Sequence, residues 1–117
     1  MTKIIPTAAL LAFAFATTAQ AGTPAGNAAA GKGKATTVCS GCHGADGNKT
    51  LDGSYPRLAG QYPDYLSKVL HDYKSGKRKN PIMMGQAQGL SEQEIADLAA
   101  YFGSLSGNVH DLSGHQR

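Results

Sequence analysis

Cys39-Ser40-Gly41-Cys42-His43 sets two thiols three residues apart and places an imidazole directly after the second. Cys-x-x-Cys-His is the attachment signature for c-type haem. Each thiol can add across one vinyl group of the macrocycle, which leaves the porphyrin fixed by two thioethers. His43 is then held beneath the iron and can offer a ring nitrogen as the proximal ligand. The chain has 117 residues and two cysteines, both in this stretch. A structural zinc site would need a second ligand pair. Thiol redox chemistry of the thioredoxin type would need a surrounding βαβ pattern, and the sequence shows neither.

An iron held from one side by His43 has a second face. Ile82-Met83-Met84-Gly85 is an apolar island that reads as part of a loop, well C-terminal to the cysteines. A thioether is a soft, neutral donor that suits low-spin haem iron and raises its reduction potential. Either methionine could supply it, and either could instead fill a gap in the core.

The elements that must position these groups read as helices. Ala28 to Val38 favours a helix, although Gly31 and Gly33 each cost it about 1 kcal/mol relative to alanine. Gly31 reads as the point where another helix comes close. Gly44 to Ser54 is a polar run of turn formers, and Pro56 stiffens the loop while leaving its carbonyl free to accept. A second helix starts near Pro63, which suits a first-turn position. Its apolar stripe is Tyr62, Leu66, Val69, Leu70 and Tyr73, and Gly76 stops it. His71 lies off that stripe and reads as a solvated surface residue. The last helix opens with Ser91 and Glu94, a capping box that Leu90 and Ile95 can close as a hydrophobic staple. Ile95, Leu98, Ala99 and Phe102 face inward with Tyr101 at the edge, and Gly103 or Gly107 ends the helix. His110, Asp111 and His115 belong to a polar tail, so residues 107–117 are expected to be flexible.

No strand alternation, internal repeat, phosphate loop or nucleophile constellation is present. The chain reads as all-α, three main helices with long loops, and not as an enzyme.

The N-terminus carries an address. Lys3 precedes an apolar run from Ile4 to Ala16, and Ala19-Gln20-Ala21 has the small-x-small pattern of a cleavage site. Residues 1–21 read as a cleaved secretory signal peptide. A membrane anchor fits less well, because the run is shorter than the roughly 18–20 residues that span a bilayer. The mature domain is then 22–117, exported to the periplasm with no stable membrane insertion. The formal charge is +3, and removal of Lys3 with the leader lowers it to +2. That balance does not suggest nucleic acid. A domain this small gains from a covalent staple, which an attached haem would provide.

From Ala28 to Leu105 the sequence resembles a class I c-type cytochrome, and within that group the small single-haem bacterial carriers of the c553/c4 type. The resemblance rests on Cys39 to Gly44 with Asp46-Gly47-Asn48, and on Pro56-Arg57-Leu58-Ala59-Gly60-Gln61. Tyr65-Leu66, Gly76-Lys77-Arg78, the methionine stretch and Leu90-Ser91 through Leu98-Ala99-Ala100-Tyr101-Phe102 complete it. It implies the class I cytochrome c fold, wrapped around one covalently attached haem c. It implies that the Pro56 carbonyl holds the imidazole through Nδ1–H and that Leu58 packs on the haem. It also implies that Gly31 meets Tyr101 or Phe102 where the first and last helices cross. In relatives with a Pro-x-Met-x-Gly stretch the ligand is the methionine two after the proline, here Met83 rather than Met84.

The function so implied is a periplasmic one-electron carrier with His43/Met83-ligated iron, meeting its donor and acceptor proteins transiently. The alternative is a haem c subunit held permanently in a periplasmic dehydrogenase or oxidase complex. A gas sensor or peroxidase would need an open sixth position. Lys74, Lys77, Arg78 and Lys79 could form a basic rim for an acidic partner, and Arg57 or Arg78 could pair with a propionate.

Overall fold

The computed structural model describes residues 22–107 and 109, and among them there are helices and loops but no strand. The leader 1–21 and the tail histidines His110 and His115 lie outside the described residues. Five α-helices follow in order: α1 Ala28–Lys34, α2 Ser40–His43, α3 Pro63–Lys74, α4 Pro81–Gln88 and α5 Glu92–Ser104. A π-helical turn, Ala35–Cys39, joins α1 to α2.

Helix α5 is the centre of the fold, with α1 across one side and α3 on another, while α4 packs on α3. Its start follows the sequence closely. Ser91 Oγ accepts from Glu94 N–H at 3.2 Å and Glu94 Oε2 accepts from Ser91 N–H at 2.9 Å. Glu94 also meets Lys34 of α1 at 2.7 Å. That pairing, with the Ser91 N–H, holds its carboxyl down at about 2. Leu90 and Ile95 are both buried in the core, as a staple requires. The far end differs from expectation. Neither Gly103 nor Gly107 terminates α5; it runs to Ser104, and Leu105 turns to extended backbone. Gly103 instead faces the Pro63 ring, where a Cβ would come within 2.5 Å of Pro63 Cγ.

The core is Ala35, Leu66, Leu90, Ile95, Leu98, Ala99, Tyr101 and Phe102. Tyr101 is inside the seam and not at its edge. The α1–α5 crossing depends on Gly31: a Cβ there would lie 2.0 Å from the Asp97 carbonyl oxygen and 2.8 Å from Tyr101 Cβ. Asp97 itself is buried, and sequence pattern alone does not single it out. Its Oδ1 accepts from Asn27 N–H at 2.7 Å and from Gln93 Nε2 at 2.9 Å, which ties the start of α1 to α5.

Helix α3 begins at Pro63 and ends before Gly76, whose φ of +75° provides the left-handed turn expected there. Its stripe is narrower than its periodicity suggests. Leu66 is buried, Leu70 is half-buried against the core, and Tyr62 is 54% exposed. His71 is engaged rather than merely solvated. Nδ1 contacts Ser67 O at 2.8 Å and Nε2 meets Glu92 Oε2 at 2.6 Å. Lys74 donates to Leu90 O and reaches Glu92 at 3.5 Å. These contacts link α3 to the start of α5.

Two local readings are corrected. Ala28 to Val38 is not one regular helix, since α1 widens into the π turn before the cysteines. Thr36 Oγ1 donates to Lys32 O at 2.8 Å, and Thr37 Oγ1 donates to Lys34 O at 3.0 Å. Such back-bonding competes with the regular ladder and bends helices. The second correction is the methionine stretch, which is helical and not a loop. Asn80 Oδ1 accepts from Met83 N–H at 3.0 Å, and Pro81 occupies the first turn, where a missing N–H costs nothing.

Candidate haem-attachment site

The π turn delivers Cys39 and the short helix α2 carries Cys42 and His43, so the three groups share one continuous helical stretch. Single π turns inside helices recur at functional sites. Gly44 follows with φ +79°, and a Cβ there would lie 2.2 Å from Lys49 O. The chain can reverse at once only because this residue is glycine. Asp46 then accepts from Asn48 and Lys49 N–H, each at 2.9 Å. Leu51 N–H returns to Cys42 O at 2.9 Å, and Leu58 N–H reaches Gly47 O at 2.8 Å. This network carries Pro56 back over α2.

His43 is buried, and its Nδ1 stands 2.8 Å from the Pro56 carbonyl. A carbonyl only accepts, so Nδ1 carries the proton and Nε2 keeps its lone pair. This is the tautomer a metal-ligating imidazole needs, with a backbone oxygen fixing the ring's orientation. Tyr55 adds an edge contact, its ring centroid 6.3 Å from that of His43 at an interplanar angle of 78°. Nothing in the spacing singles out Tyr55; its only signal is its place before Pro56, in the loop that must cover the imidazole. Its phenol is pushed up, first by Cys42 and then by burial.

Cys39 and Cys42 are both free and half-buried. Burial pushes the Cys39 thiol up, against the smaller downward pull of Lys34. A thiol held neutral is the reverse of an activated redox or nucleophilic cysteine. Among the described residues no three His, Cys, Asp or Glu side chains come together as a metal cluster, so the stretch does not extend to a zinc site. Two free thiols and an imidazole anchored through Nδ1 do fit a covalently held haem. Cys39 and Leu58 also pack against the core from the same region, so such a group would rest on apolar side chains.

The structure brings Cys39, Cys42 and His43 together and places Met83 on a separate element, α4. Met84 Cε approaches the Gly76 turn, 3.9 Å from where a Cβ on that glycine would stand. Met83 is half-buried and its backbone is held by the Asn80 cap. The basic stretch is less free than its sequence suggests, because Lys74 and Arg78 are both engaged by neighbours. An open cleft of about 490 Å³ lies at the start of α3 between Gln61, Tyr62, Asp64 and Tyr65. It includes neither thiol nor His43, and the donor chemistry locates the site better than that hollow does.

A cytochrome c family profile matches residues 28–106. Cytochrome c4 of Pseudomonas aeruginosa is 52% identical over 85 residues, covering 73% of this chain and 41% of that protein. Cytochrome c-554(548) of Halomonas halodenitrificans is 47% identical over 83 residues, covering 68% of this chain and 98% of that protein. Reduced recombinant cytochrome c4 from Pseudomonas stutzeri superposes with a TM-score of 0.66 at 45% identity, over 73% of this chain and 48% of that one. The chain thus spans less than half the length of these c4 relatives and nearly all of the shorter one.

Proposed function

The chain belongs to the cytochrome c family, as a class I c-type cytochrome of the c4/c553 type, and on that premise we propose that it is a periplasmic one-electron carrier with a single haem c. The sequence holds one Cys-x-x-Cys-His, hence one attachment site. The observation that carries the reading is the 2.8 Å contact from His43 Nδ1 to Pro56 O beside two free thiols.

Each residue has a defined task. Cys39 and Cys42 would hold the haem through thioethers, each S–H adding across one vinyl group to give a C–S and a C–H bond. His43 would offer Nε2 to the iron, while its Nδ1–H donates to the Pro56 carbonyl and so strengthens the imidazole as a ligand. Met83 would supply the second protein ligand, a role supported by its place two after Pro81 and by the approach of Met84 to Gly76. Leu58 and the half-buried apolar side chains exclude water from one face. When bound, the haem iron supplies a ferric/ferrous couple. With both His43 and Met83 as ligands the iron would have no site for a substrate, which favours electron transfer over catalysis.

Partners of such a carrier dock through small, short-lived interfaces. No helix among the described residues is long and apolar enough to cross a membrane, and the leader 1–21 supports export. A visible spectrum combined with a redox titration of the periplasmic protein tests the reading. A low-spin spectrum and a single one-electron wave are expected. A high-spin ferric spectrum or two waves would contradict it. Copurification at fixed ratio with a dehydrogenase would instead support the permanent-subunit alternative.

A further inference from the structure

Residues 75–80 connect α3 to the helix that carries Met83. Gly76 turns this connection back beside α3, and Arg78 fastens it. The Arg78 backbone N–H donates to Asp72 O at 2.9 Å, and its Nε donates to the Tyr73 hydroxyl at 2.9 Å. The guanidinium carbon lies 5.3 Å from the Tyr73 ring centroid, within the range of cation–π attraction. The Tyr65 phenol, about two turns earlier on α3, and then the Tyr73 phenol push the Arg78 pKa up. Arg78 is exposed like Lys77 and Lys79 on either side, but its side chain is held along α3 by Tyr73. Two residues later Asn80 caps α4 by accepting the Met83 N–H. Met83 lies only five positions after Arg78, so little slack separates clamp, cap and Met83.

We infer that Arg78 is a positioning residue for the sixth iron ligand: it clamps the α3–α4 turn to Tyr73 and so sets where α4 presents Met83. The inference rests on Met83 being that ligand. A neutral thioether is released whenever its carrier segment opens, and local opening is governed by the contacts that segment makes. Arg78 supplies those contacts through a planar fork and a ring contact, which lysine cannot reproduce together.

The test uses the haem-loaded mature protein and its R78L, R78K, Y73F and M83A variants. Ferric protein is mixed with saturating imidazole, where the limiting rate reports how often the iron–methionine bond opens. R78L and R78K should raise that rate about tenfold, as expected for loss of hydrogen bonds to a charged group, and Y73F about threefold. In denaturant, the methionine–iron absorption band of the Arg78 variants should vanish before helical circular dichroism is lost. Unchanged limiting rates overturn the inference. So does loss of band and helix together at one lowered midpoint, the mark of a purely structural role. R78K and Y73F carry the test if R78L does not fold. M83A separates the two readings. If it lacks the band while the Arg78 variants match the wild type, only the clamp fails; if it retains the band, the ligand assignment and the clamp fail together.

Discussion

Gly31 and Gly33, two residues apart on α1, should respond to alanine in opposite directions. At either site a methyl group favours the helix by about 1 kcal/mol and restricts the unfolded chain. Nothing lies within 4 Å of a Cβ on Gly33, so G33A should realise most of that gain. A Cβ on Gly31 would stand 2.0 Å from Asp97 O and 2.5 Å from Asp97 C. Ordinary carbon–oxygen contact begins near 3.3 Å, so α1 and α5 must separate by about 1 Å. A gap of that size forfeits roughly a quarter to a half of each dispersion contact along the seam, over Leu98, Tyr101 and Phe102. Overpacking costs about 1–3 kcal/mol, and because the obstacle is backbone the upper value applies. Net of the helix gain, G31A should lose about 2 kcal/mol, which lowers Tm by roughly 10 °C for a domain of this size, whereas G33A should raise it by roughly 5 °C. Thermal unfolding by circular dichroism, with all variants equally haem-loaded, measures both. A G31A protein as stable as G33A would refute the close-approach argument.

Two further perturbations probe other joints of the fold. D97A removes the acceptor of the Asn27 N–H and of Gln93 Nε2, and should cost about 1–3 kcal/mol. Amide exchange at Asn27 should accelerate more than at residues in the middle of α3; equal acceleration throughout would contradict the local role. The His71–Glu92 pair should make stability pH-dependent with a defined sign. Glu92 raises the His71 pKa and is itself lowered by His71. The histidine's contribution is therefore complete below its unfolded value near 6.5 and fades as pH rises through the raised folded value. The glutamate's contribution is present above its reference value of 4.5 and fades as pH falls through the lowered one. Urea midpoints should peak between those limits, and H71Q should flatten the alkaline slope. An unchanged slope in H71Q would show that the pair carries no linkage.

What could be read in the sequence was whatever depended on local chemistry with fixed spacing. Cys39 to His43, the Ser91–Glu94 box, Pro63 at a helix start and Gly76 at its stop are patterns over a few residues, and the structure shows each capping or turning feature where its pattern lies. The helix-crossing role of Gly31 was also accessible, because a glycine inside an alanine-rich helix needs a reason. The α4 helix was not. Ile82, Met83 and Met84 are adjacent, so they give no helical period, and Gly85 argues against a helix. The Asn80 cap and Pro81 make it one regardless. Asp97 and Arg78 escaped for a related reason. A charged side chain reads as solvated until tertiary contacts show its partners, here Asn27 for one and Tyr73 for the other. The same holds for His71, whose partner Glu92 lies on a different helix. The π turn at 35–39 leaves only a faint trace, in the paired threonines that donate back to the preceding carbonyls.

The central claim is that His43 and Met83 close both faces of one haem iron. Exposure of the native, dithionite-reduced protein to carbon monoxide at neutral pH tests it most directly, because carbon monoxide needs a free or easily vacated ferrous position. The account predicts an unchanged visible spectrum in the wild type and a rapid carbon monoxide shift in M83A. A rapid shift in the native protein would show an open sixth position and would contradict the electron-carrier reading.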